Sequence, residues 1–215
     1  FAGLKSVEES INYPQKYWDT NVNGSITLLK VMDNNNCRKI VFSSSATIYG
    51  LVNDLLIKED FKIQPINPYG TTKAAVEQLL NDIFKSNKEK WKIANLRYFN
   101  PIGAHPSGLI GENPLGTPNN LFPFITQVAT KRIKELKIFG KDWPTIDGTG
   151  VRDYIHIMDL AEGHLKAYEH LSKKTSTLIN INLGTGQGTS VLELIKTFEE
   201  VNKIKIPFKY GSRRD

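Results

Sequence analysis

The stretch Lys39-Ile40-Val41-Phe42-Ser43-Ser44-Ser45 decides the fold. Its apolar first half reads as a buried strand, and its hydroxyls place polar chemistry at the strand's carboxyl end, where open α/β sheets present their sites. Next along the chain, Asn67-Pro68 signals the start of a helix over 68–86, with Ala75, Val76, Leu79, Leu80 and Ile83 on its inward face. Ile93-Ala94-Asn95-Leu96-Arg97-Tyr98-Phe99 is a second strand of the same kind, ending at Asn100-Pro101. Upstream, residues 14–34 read as a helix with Trp18, Val22, Leu28, Leu29 and Met32 inward. Downstream come a Pro- and Gly-rich ordered loop over 101–120, a helix over 121–133, a strand over 136–139 and a glycine-rich loop to Gly150. A helix over 158–172, a strand over 178–183, a helix over 191–202 and a strand over 206–210 complete the reading. Strands alternating with helices predict an α/β protein built on a parallel, Rossmann-like sheet.

Chemistry gathers at the strand ends. Tyr69 and Lys73, four apart on a helix, share one face, so an ammonium can sit beside a phenol. At about 5 Å and an effective dielectric near 20, that charge is worth roughly 3 kcal/mol, or about two pKa units off a phenol that starts near 10. With eight tyrosines in 215 residues the spacing alone carries little weight, because about one instance arises by chance. A Ser at one strand end, the Tyr/Lys helix and the polar Asn100 after the next strand make the arrangement specific. Together they could take a proton from a sugar hydroxyl.

Composition narrows the class. Hydrophobic residues at 40% and charged residues at 23% describe an ordinary globular chain long enough to bury a core. The net charge of +6 is spread over helix ends and loop edges among Glu and Asp, so no nucleic-acid partner is expected. No apolar run is long enough to cross a bilayer, and none resembles a signal peptide, so no membrane partner is expected. One cysteine, Cys37, permits no internal disulfide and suits the cytoplasm. The four histidines show no ligand pairing, so no metal is expected. Gly184-Thr185-Gly186-Gln187-Gly188 imitates a phosphate cradle, but the glycine spacing is wrong. It reads instead as a strand-to-helix turn, with Ser190 as N-cap and Glu193 closing a capping box.

The strings FSSSATIYG (42–50), NPYGTTK (67–73), LRYFNPIGAHPSG (96–108), TPNNLFPFITQVA (117–129), DGTGVRDYIHIMDLAEGH (147–164) and NLGTGQG (182–188) carry a resemblance that spans the chain. The sequence resembles the extended short-chain dehydrogenase/reductases, specifically their UDP-glucose 4-epimerase group. The resemblance implies NAD as cofactor, a UDP-sugar as substrate and a homodimer. It implies Ser45, Tyr69 and Lys73 as catalytic residues that also touch the cofactor, with Ser45 and Tyr69 touching substrate. It places Phe1, Ala2, Gly3, Leu4, Lys5, Thr20 and Phe99 along the dinucleotide. Asn100, Asn120 and Leu121 match the sugar-nucleotide pocket, Lys137, Ile138 and Phe139 the uracil-binding strand, and Arg152 and Arg214 the diphosphate anchors. Residues 1–100 and about 151–190 would belong to the NAD-binding Rossmann domain, and about 101–150 and 191–215 to a smaller substrate-binding domain. Because similar proteins begin about eighty residues earlier with a Gly-rich turn, the resemblance implies a partial chain, incomplete at the N-terminal side of its sheet.

The activity so implied is reversible epimerisation at C4 of UDP-glucose and UDP-galactose through a 4-keto sugar, with Tyr69 as base. A 4,6-dehydratase would need an added acid/base pair, and Ser45-Ala46-Thr47-Ile48-Tyr49 offers no carboxylate. A 4-epimerase of UDP-N-acetylhexosamines, UDP-pentoses or UDP-glucuronate, and a non-catalytic nucleotide-binding protein of the same fold, remain open at this point.

Overall fold

A computed structural model describes residues 2–52, 56–86, 90–114, 118 and 120–213. Phe1 and Arg214, assigned above to cofactor and diphosphate, lie outside the described residues. In chain order the helices are α1 (Val7–Asn12), α2 (Pro14–Tyr17), α3 (Gly24–Asn34), α4 (Pro68–Ser86), α5 (Leu121–Ala129), α6 (Ile157–Ser172) and α7 (Val191–Asn202). The strands are β1 (Lys39–Ser45), β2 (Lys92–Tyr98), β3 (Asn100–Ile102), β4 (Leu136–Phe139), β5 (Val151–His156), β6 (Thr177–Leu183), β7 (Gly188–Ser190) and β8 (Phe208–Gly211). They divide into two compact units, Phe1–Phe99 with Asp159–Leu183, and Asn100–Met158 with Gly184–Asp215.

The first unit is a three-layer sandwich. Its sheet has the order β1-β2-β6, all parallel, with Ser45 opposite Tyr98 and Tyr98 opposite Leu183. Alternate residues face opposite sides. Ile40, Phe42 and Ile93 meet Leu29 of α3 and Val76 and Leu80 of α4, while Val41, Ala94 and Leu96 meet Ala167 and Leu171 of α6. Both faces are thus covered, the usual condition for a parallel sheet.

Between α2 and α3 the chain forms a π-helical turn, Trp18–Asn23. The wider turn shifts the phase of everything before it relative to α3. Val22, Leu29 and Met32 join the core as expected, but Trp18 and Leu28 do not and are 42% and 53% exposed. The same turn directs Asn21 inward.

In the second unit β4 pairs in parallel with β8, and α5 and α7 pack Ile125, Val128 and Ile195 over Leu136, Ile138 and Ile206. A separate sheet of order β3-β5-β7 joins β5 in parallel to β3 and antiparallel to β7. None of these three strands is legible in the sequence: two are three residues long, and β5 reads Val-Arg-Asp-Tyr-Ile-His with little alternation. Helix α5 stops at Ala129 rather than at 133, because Lys131 takes a left-handed conformation with φ 59°. Ser190 caps α7 as expected: its Oγ accepts from Glu193 N at 3.0 Å, and the Glu193 carboxylate accepts from Ser190 N at 3.3 Å.

Candidate active site

Helix α4 begins at Asn67, whose side-chain oxygen accepts from Gly70 N at 2.8 Å, with Pro68 in the first turn, where no N–H is needed. The Tyr69 N–H, also without a partner inside the helix, donates to Ser10 Oγ at 3.1 Å. Gly70 faces the turn after β1 so closely that a Cβ there would lie 2.9 Å from the Thr47 carbonyl oxygen. That close approach brings Tyr69 to the end of β1, with its phenol beside Ser45. Ser45 Oγ in turn accepts from Thr47 N at 3.3 Å and Thr47 Oγ1 at 2.9 Å. Ser45, Tyr69 and Lys73 are therefore brought together as expected.

The electrostatics differ from the sequence expectation. Lys73 is 8% exposed, and its Nζ donates to the Ser43 carbonyl at 2.8 Å, 5.1 Å from the Phe42 ring centroid and 5.8 Å from that of Tyr69. Burial lowers the ammonium's pKa to about 8. Burial also raises the Tyr69 phenol above its ordinary value, and the hydrogen bond from Ser45 offsets only part of that. Desolvation sets the sign here, so the phenol moves up rather than down.

The first residues of the chain lie against this cluster. Asn21, on the π turn and 5% exposed, clamps Leu4 from both sides: its Oδ1 accepts from Leu4 N at 2.8 Å and its Nδ2 donates to Leu4 O at 3.1 Å. Nδ2 also donates to Thr72 Oγ1 on α4 at 3.2 Å. A Cβ on Gly3 would lie 3.1 Å from Asn21 Oδ1 and 3.5 Å from Lys73 Nζ. Ala2, Gly3 and Lys5 are exposed, which leaves a bare backbone beside a buried ammonium that could hold part of a dinucleotide. Thr20 is exposed on the π turn beside Asn21. Phe99 is half-buried, its N–H bonded to Leu183 O at 3.0 Å. Asn21 was missed from the sequence; its signal would have been a polar residue that only the π turn rotates inward.

In the second unit Asn100 and Asn120 are exposed, and Leu121, next to Asn120 in sequence, packs on the core. Along β4 Lys137 is exposed with its Nζ 5.2 Å from the ring centroid of half-buried Phe139, whereas Ile138 is 2% exposed and sits in the core. Ile138 can therefore offer a ligand only its backbone. Arg152 is exposed, with Nη1 on the Val151 carbonyl at 2.8 Å. Arg213, not singled out from the sequence, stacks 4.5 Å over Trp143 and pairs with Asp142 at 2.9 Å. With Gly140, Lys141, Tyr210, Gly211 and Ser212 it lines a cavity of about 510 Å³. In the Gly184–Gly188 turn, Thr185 N and Gly186 N both donate to the Asp153 carboxylate at 2.8 Å. Among the described residues, no group of three His, Cys, Asp or Glu side chains is placed to hold a metal ion, and no helix is long and apolar enough to cross a membrane.

Comparison with known proteins identifies the family. Residues 1–184 match the NAD dependent epimerase/dehydratase family. The chain is 52% identical to the UDP-glucose 4-epimerase of Bacillus subtilis over 214 residues, 100% of this chain and 62% of that protein. It is 53% identical to the bifunctional UDP-glucose 4-epimerase and UDP-xylose 4-epimerase 3 of Arabidopsis thaliana over 215 residues, 61% of that protein. Among solved structures, the UDP-glucose 4-epimerase of Stenotrophomonas maltophila with bound NAD and formylated UDP-arabinopyranose superposes with a TM-score of 0.96 at 50% identity, covering 100% of this chain and 63% of that one. The Bifidobacterium longum enzyme in complex with NAD+ and UDP gives 0.94 at 48% identity, with the same coverages. The chain thus spans about three fifths of the length of these relatives. On the match over residues 1–184, the Ser45–Tyr69–Lys73 cluster and the doubly covered parallel sheet, the chain belongs to the NAD dependent epimerase/dehydratase family.

Proposed function

We propose that this protein catalyses reversible epimerisation at C4 of UDP-glucose and UDP-galactose, with Tyr69 as the base. The observation that carries the reading is the cluster that sets Ser45 beside Tyr69 while Lys73 is held on the Ser43 carbonyl, 5.8 Å from the Tyr69 ring centroid and beside the Gly3 backbone. The names of the relatives at 52% identity support the substrate. Lys73, with its pKa near 8, is about nine-tenths protonated at pH 7 and remains a charge donor to the phenolate. Bound NAD supplies the two-electron oxidation of the C4 alcohol to a ketone, its reversal, and a fixed positive charge.

Tyr69 then takes the 4-hydroxyl proton, and Ser45 holds the reacting oxygen. Lys137, Phe139, Arg152 and Arg214 would hold the UDP end, guanidinium groups being suited to diphosphate oxygens. An anchored UDP leaves the 4-keto sugar free to turn over and accept reduction on its other face. A cytoplasmic homodimer belongs to the same proposal.

A second reading, 4-epimerisation of UDP-xylose as well, is favoured by the bifunctional relatives of Arabidopsis thaliana and Pisum sativum at 53% and 51% identity. The test is Tyr69→Phe in the intact protein, assayed for UDP-galactose and UDP-xylose conversion. The expected loss is at least a thousandfold in kcat with KM within threefold. Turnover near wild type would remove the base assignment.

A further inference from the structure

One turn beyond Lys73, on the same face of α4, lies Glu77. It is 5% exposed, and its carboxylate accepts from Ser44 Oγ at 2.5 Å, Arg97 Nε at 3.1 Å and Arg97 Nη2 at 2.7 Å. Arg97, at 2% exposure, reaches outward from β2 with Nη1 donating to Tyr49 OH at 2.8 Å and to the Glu59 carbonyl at 2.9 Å. Tyr49 OH donates on to Asn182 Oδ1 of β6 at 2.7 Å. A single carboxylate therefore joins the helix carrying Tyr69 and Lys73, the residue next to Ser45, and the central strand of the sheet.

The core around this pair is already apolar. Val76 and Leu80 of α4 lie on Ile93, and such contacts hold a helix on a sheet without specifying where it sits along the strands, because they are non-directional. An ion pair bridged by several hydrogen bonds is directional, and it costs desolvation that an apolar pair would avoid. What it adds is a defined position.

We propose that Glu77 and Arg97 are positioning residues that set the register of α4 against β1, and so the spacing of the Tyr69 and Ser45 hydroxyls on which proton removal depends. This rests on the reading of Tyr69 as base. Neither residue touches the reacting atoms; both act through the helix and through Ser44.

The test uses the intact protein loaded with NAD. The double variant Glu77→Met/Arg97→Met leaves no unpaired buried charge, and Ser44→Ala removes one tether while leaving the ion pair whole. The ionisable groups facing the phenol are Lys73 on its own helix and Tyr98 on β2, and both variants leave them in place. The expected result for the double variant is a kcat at least tenfold lower, KM within twofold, and an acid limb of the kcat–pH profile moved up by about one unit as the Ser45 hydroxyl loses its place beside the phenol. Ser44→Ala should show the same split at smaller size, about threefold, with an unchanged melting temperature. A normal kcat and an unmoved acid limb in Ser44→Ala, together with either a normal double variant or one that loses activity only in proportion to its unfolded fraction, would overturn the positioning role. Carbon-13 NMR of Tyr69 labelled at Cζ reads the phenol's titration without turnover. If Tyr69→Phe stayed active the base assignment would fail, and the labelled phenol would still report whether Glu77 and Arg97 position it.

Discussion

Replacing Lys73 by methionine should make the protein inactive and, below pH 8, more tolerant of denaturant. The ammonium is 8% exposed, and burial lowers its pKa from 10.5 to about 8. Between those two values the unfolded chain holds a proton that the folded chain has released, so stability rises with pH across the window. The slope is about 1.4 kcal/mol per pH unit and the whole effect about 3 kcal/mol, with the penalty fully present below pH 8 and gone above 10.5. Between pH 7 and 10 the change is about 2.5 kcal/mol. Methionine fills a similar volume and does not titrate; at fixed pH its advantage is partly offset by loss of the 2.8 Å bond to the Ser43 carbonyl. The difference between pH values is free of that offset. Urea unfolding of the NAD-free protein, followed by fluorescence of its three tryptophans at pH 7 and pH 10, measures it directly. The wild-type curve should gain about 2.5 kcal/mol on the variant's over that range. Parallel behaviour of the two proteins would refute the depressed lysine and, with it, the account of the site as a desolvated pocket.

Other outcomes follow from the same structure. Arg97→Met alone strands the Glu77 carboxylate and should destabilise the first unit by about 3–5 kcal/mol in urea unfolding at pH 7; a loss under 1 kcal/mol would mean that water reaches the site. Ser190→Ala removes the cap of α7 and a partner of the Asp147 carboxylate, and should cost about 1–2 kcal/mol, visible as faster amide exchange in the first turn of α7. Unchanged protection there would count against the capping box.

Much of this molecule was readable in its residues because local physics specified it. The apolar run ending in three serines is β1, Asn67-Pro68 opens α4, and the Ser190/Glu193 pair caps α7, each through interactions within a few positions of the chain. The i, i+4 spacing was enough to put Tyr69 and Lys73 on one face. Tertiary structure decided what depends on partners distant in sequence. Strands β3, β5 and β7 exist only because each finds a neighbour, and a π turn rather than a regular one carries Asn21 inward to Leu4 and Thr72. The sign of the phenol's shift belongs here too: spacing brings a charge near Tyr69, but only packing sets how much water is removed from both groups, and burial prevailed. The Glu77–Arg97 pair shows the same division, since 20 positions of sequence separate two charges that meet at 2.7 Å only once the helix has been laid on its sheet.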